Sequence, residues 1–122
     1  MNFPGNATVK NLIPVATFDS DANGSAIDVA EYDGNVVVLL NASAGTGDMT
    51  LDVKLQGSAD GSTGWADITG AAFAQVTTAA SSQKLVVNVA YAPRYARAVV
   101  DVGGTTPSFV VGVQIAGVPK YV

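Results

Sequence analysis

The residues able to do chemistry in this chain are few, and most of them are carboxylates. None of its 122 residues is histidine or cysteine. Thiolate nucleophiles, disulfides, His-dependent triads and the usual zinc ligand sets are therefore excluded together. Catalysis would rest on aspartates, one glutamate, lysines and hydroxyls. General acid–base work needs two carboxylates held in one cleft with unequal proton affinities. Asp48 and Asp52 fall on opposite sides of a predicted strand start, and Asp60 and Asp67 fall in a predicted loop, so neither pair makes such a couple. A hydrolase built on acidic residues alone is the weakest reading.

Asp19, Asp21 and Asn23, followed by Gly24, fit the first half of a calcium loop, where alternate oxygens turn inward and a glycine permits the sharp bend. The second half does not fit. Ala30 stands where the bidentate carboxylate belongs, Glu31 comes one residue late, and Ile27 and Val29 have strand character. An Asn23-Gly24 hairpin turn accounts for the same residues without metal, so no metal or cofactor is expected.

The single tryptophan, Trp65, sits in the polar stretch LQGSADGSTGWADITGAAF, residues 55–73. Ser58, Asp60, Gly61, Thr63 and Trp65 resemble the Asp-box hairpin of sialidase-type propellers, although the glycine comes one place early and one extra residue separates Thr63 from Trp65. An Asp-Gly turn with Trp65 plugging the hairpin explains the stretch. Trp65 and Asp60 are also the candidate contact for a sugar or a protein, because an aromatic face beside a carboxylate suits either. The glycine-rich tips at residues 45–47 and 103–106 lack the lysine and the strand-to-helix setting of a phosphate loop and read as turns.

The elements that must position these residues are strands. Nineteen valines and ten threonines stand against six leucines and one glutamate, a composition that favours β structure. Residues 50–56, TLDVKLQ, place Leu51, Val53 and Leu55 on one face. Residues 84–89 align Leu85, Val87 and Val89; residues 95–102 align Ala96, Ala98, Val100 and Val102; and residues 108–116 align Phe109, Val111, Val113 and Ile115. Residues 35–42 are too uniformly apolar to alternate and predict a central strand covered on both faces. With turn clusters between the runs, the pattern predicts one antiparallel β-sandwich domain over residues 16–122, jelly-roll or Ig-like, with seven or eight strands. Residues 1–15, with Pro4 and Pro14 and no alternation, predict an extended arm.

Charge narrows the partners. The net charge is −4 and no basic tract stands out, so a phosphate backbone would be repelled and direct nucleic-acid binding is not expected. The longest apolar run, residues 36–40, is far too short to span a membrane. Nothing at the N-terminus reads as a secretory signal, which predicts synthesis in the cytoplasm.

Taken together, AIDVAEYDGNVVVLLNAS, LDVKLQGSADGSTGWADI, APRYARAVVDVGG and FVVGVQIAG resemble a family of small virion proteins of tailed bacteriophages, the capsid decoration or cement proteins. The likeness spans residues 26–120 and departs from the family pattern at Gly57 and Ala59. It implies a non-enzymatic β-sandwich on the exterior of the phage head that bridges neighbouring major capsid subunits. Under this resemblance the arm residues Phe3, Leu12, Ile13 and Val15 are the expected capsid contacts. Val86, Val99 and Val110, which fall opposite the predicted core, are the expected self-association contacts, with a trimer favoured. The alternative is a carbohydrate-binding β-sandwich displayed on a virion, with Trp65 as its platform.

Overall fold

Alternating apolar residues in four separate runs, with the apolar run at residues 35–42, can be buried together if their strands form two layers, and the chain does this with two antiparallel sheets packed face to face. The computed structural model describes residues 8–32, 34–89 and 93–118. In chain order the strands are β1 (Thr8–Phe18), β2 (Ala22–Asn23), β3 (Ile27–Asp28), β4 (Asn35–Ala42), β5 (Thr50–Ser58), β6 (Ala66–Ala72), β7 (Ser81–Asn88), β8 (Tyr95–Gly103) and β9 (Phe109–Gly117). Sheet A has the order β1-β9-β4-β7. Sheet B has the order β2-β8-β5-β6, and β3 also pairs with β8. The total exceeds the predicted seven or eight because β2 and β3 are two residues each, too short to show a period.

The predicted faces of β5, β8 and β9 supply the core. Leu51, Val53, Leu55, Ala98, Val100, Phe109, Val111, Val113 and Ile115 are each at most 2% exposed. Burying a Val, Leu, Ile or Phe side chain of this kind contributes roughly 1.5–3 kcal/mol. The β4 strand is central in sheet A, but only one of its faces is covered. Val36, Val38 and Leu40 are buried, whereas Leu39 is 36% exposed and Asn41 is exposed. The expectation of cover on both faces fails because sheet B supplies a second layer on one side only.

Residues 1–7 of the predicted arm lie outside the described residues, and residues 8–15 are not an arm. They belong to β1, which pairs antiparallel with β9 from Thr8↔Gly117 to Phe18↔Phe109, so the sandwich reaches back to Thr8 instead of starting at residue 16. Pro14 is tolerated because β1 is an edge strand and its register shifts between Asn11 and Ile13 and again between Ile13 and Ala16. The same two breaks hide the strand's alternation in the sequence. The Asn23-Gly24 hairpin turn is also corrected. Asn23 is a β2 residue opposite Val99, and the Gly24 amide donates to the Ala98 carbonyl at 2.7 Å.

Candidate functional site

Trp65 and Asp60 lie at one end of sheet B, where the β5–β6 connection folds onto β8. Asp60 organises this loop. Its Oδ1 accepts from the Ser62 amide at 2.9 Å and the Thr63 amide at 2.8 Å, and its Oδ2 accepts from Thr63 Oγ1 at 2.8 Å. Ser58, 1% exposed, donates its hydroxyl to the Thr63 carbonyl and accepts from the Gly61 amide at 3.1 Å. Gly61 has φ +76° and lies against the Tyr95 ring, where a Cβ would come within 3.0 Å of Cγ. The Thr63 and Ser62 amides, followed by the Thr63 hydroxyl, hold the Asp60 carboxyl far below the ordinary carboxylate range. Asp60 is thus a loop organiser that is ionised at neutral pH. It is unsuited to carrying a proton near neutral pH.

Trp65 is half-buried, and its ring is covered by a cation instead of plugging the hairpin. The Arg97 guanidinium sits over it at 4.3 Å. From there a polar ladder crosses the outer face of sheet B. Arg97 Nε and Nη2 donate to Gln56 Oε1 at 3.1 and 2.8 Å, Gln56 Nε2 donates to Asp67 Oδ1 at 3.0 Å, and Lys54 Nζ donates to Asp67 Oδ2 at 3.1 Å. The backbone register dictates the ladder, because Gln56 stands opposite both Arg97 and Asp67. Arg97 and Gln56 were not singled out in the sequence. Their outward strand positions were legible, but the register that joins them was not.

The calcium-loop residues do not converge on one another. Asp21 Oδ1 accepts from the Val102 amide at 2.9 Å, and its carboxyl also hydrogen-bonds Asp101. That bond, with the Asp21 charge and the nearby Asp52, raises the Asp101 pKa. Asn23 is held in β2, while Asp19 precedes it in the bend after β1. Among the described residues no group of three or more Asp, Glu, His or Cys is arranged to hold a metal ion.

The candidate contact residues divide between opposite faces. Phe3 lies outside the described residues. Leu12 and Ile13 are 0% and 3% exposed within the core, so they are not surface contacts, while Val15 is exposed. Val86 and Val110 are exposed on sheet A, but Val99 stands on sheet B opposite Lys54 and Asn23. The three valines therefore do not form one patch. Sheet A instead presents a row the sequence did not reveal: Val9, Ala116, Val37 and Val86 stand side by side across all four strands. The next row is Asn11, Gln114, Leu39 and Lys84, whose lysine is the one charge in either row. No family model matches this chain, and neither a curated protein nor a solved structure does.

Proposed function

We propose that this chain is a non-enzymatic structural protein of a virion, a decoration protein that binds the exterior of a phage head and braces contacts between major capsid subunits. The carrying observation is the outer face of sheet A. An uncharged Val9-Ala116-Val37-Val86 row beside a nearly uncharged second row is a surface suited to lasting contact with another protein, since the core of such an interface is depleted in charge. The carboxylates support the same reading, because several are committed to holding loops and strands together. Asp60 anchors its own loop, Asp28 takes the Arg94 guanidinium at 2.9 Å, Asp48 accepts from Thr105, and Asp67 is bound by Lys54 and Gln56. Sugar binding is the less favoured reading, because the Arg97 guanidinium occupies a face of the Trp65 ring on which a sugar would stack.

The test is cosedimentation with purified phage heads that lack the protein. Native protein is expected to bind and to raise the temperature at which the heads rupture. Val37→Lys and Leu39→Lys should lower occupancy with the melting temperature of the free protein little changed. No association with heads, together with glycan binding abolished by Trp65→Ala, would replace this reading with the carbohydrate one.

A further inference from the structure

A strand at the end of a sheet exposes unpaired N–H and C=O groups, and folded proteins blunt such edges with prolines, bulges, short strands or charge. Three of the four edges here carry such a device. The β1 edge has Pro14 and two register shifts. In β6 the ladder breaks between its Lys54 and Gln56 pairings, and Gly70 has φ +78°. On the remaining edge, β2 and β3 are two residues each. By contrast, β7 has no such protection beyond Lys84. It runs eight residues in unbroken register with β4, from Asn35↔Asn88 to Ala42↔Ser81, and has no proline. Among the described residues it has no sheet neighbour on its other side. Over residues 81–87, about 24 Å of regular edge thus has no strand beside it among the described residues.

We infer that β7 is a pairing edge for a second copy of this chain, joined antiparallel about a two-fold axis at Val86. The strand's own sequence selects both the occupant and the register. An axis at Lys84 would set two ammonium groups against each other, which is unfavourable for directly opposed like charges. An axis at Leu85 would set Lys84 against Val86 on the outer face and Gln83 against Val87 on the inner face. With the axis at Val86, Val86 meets Val86, Leu85 meets Val87 and Lys84 meets Asn88, so apolar residues oppose apolar residues on both faces. That register also carries the Val9-Ala116-Val37-Val86 row straight into its counterpart, giving one eight-stranded sheet with an unbroken apolar row. Leu85 and Ile68, which pack on the core yet remain partly exposed near this edge, would gain cover. An isologous contact of this kind closes as a dimer, in place of the trimer expected from the family resemblance.

The chain has no cysteine, so one introduced thiol reports one position. Val86→Cys is expected to give a disulfide-linked dimer on mild oxidation, since directly paired antiparallel residues have Cα atoms about 4.5–5.5 Å apart, within disulfide range. Val9→Cys, at the far end of the same row, should dimerise through β7 but remain largely uncrosslinked. Light scattering of the native protein should give twice the chain mass. Val86→Lys and Val86→Glu should each weaken the dimer by about tenfold or more, and mixing the two should restore it because residue 86 faces itself. Val86 is 55% exposed, so the variants should keep the native circular dichroism spectrum, with melting temperatures lowered only by the stabilisation that dimerisation lends the native protein. A native monomer or trimer, Val9→Cys crosslinking as fast as Val86→Cys, or no recovery on mixing would each overturn the inference. All of these measurements use free protein, so their failure leaves the head-binding reading standing, and loss of head binding leaves the dimer standing.

Discussion

The Arg97 guanidinium lies over the Trp65 ring, 4.3 Å from its centroid, while two of its nitrogens converge on Gln56 Oε1. The pair joins the start of β6 to β8 across the intervening β5. Removing the cation should therefore loosen the Trp65 loop without touching the core.

Arg97→Ala is expected to cost about 0.5–1 kcal/mol, the usual worth of a partly exposed cation–π contact. As Trp65 is the only tryptophan, its emission should shift to longer wavelength as the ring gains water. Arg97→Lys should recover only part of the loss, because an ammonium cannot lie flat on the ring and fork to Gln56 at once. Fluorescence-detected urea unfolding of both variants checks this, and unchanged emission in Arg97→Ala would refute it.

Asp60 has a folded-state pKa well below its unfolded value, so its contribution to stability is complete above about pH 4 and is lost as the pH falls through the lower folded value. Asp60→Asn should thus lower the melting temperature at neutral pH, and the gap from native protein should close in strong acid. Thermal melts across the acid range would show this convergence; a gap independent of pH would oppose it.

Asp101 behaves in the opposite sense. The Asp21 carboxyl raises its folded pKa, so the fold favours the protonated form. That contribution is present below the ordinary aspartate pKa and is lost as the pH rises through the raised value. Both groups are largely solvated, which limits the effect. Asp101→Asn should be more stable than native protein at neutral pH by a few tenths of a kcal/mol. This advantage should vanish toward pH 4, as the same series of melts would detect.

Gly24 is required by close approach, not by turn geometry. A Cβ there would lie 2.5 Å from the Leu12 carbonyl oxygen and 3.2 Å from that of Ala98. Both neighbours are backbone, so neither can rotate away. Gly24→Ala should cost about 1–3 kcal/mol, the scale of overpacking. Chemical unfolding would measure it, and a neutral result would show that β2 shifts freely.

What the sequence revealed follows from how far each interaction reaches along the chain. The core faces of β5, β8 and β9 are strictly periodic and were legible. The β1 strand was not, because Pro14 and two register shifts erase its period. In β4 the uniform run of Val36 to Leu40 concealed a face that no second layer covers. At the candidate site, the Asp60 turn was legible because its partners lie within three residues. The Arg97–Trp65 stack and the Val9-Ala116-Val37-Val86 row depend on strand register, which no local pattern encodes.

The pairing of β1 with β9 along nearly its whole length governs the order of assembly. The β1 strand is synthesised well before its partner β9 and must wait for it, and in the interval Leu12 and Ile13 have no β9 to pack beside. Among the long ladders of the described residues only β5 with β6 joins sequence neighbours, so the remaining ladders must close large loops before any packing repays the entropy. Folding should therefore take milliseconds to seconds and finish only after β9 has emerged. Until then the unprotected β7 edge and the bare apolar row are exposed together, which makes the nascent chain, more than the finished protein, the species most prone to aggregate.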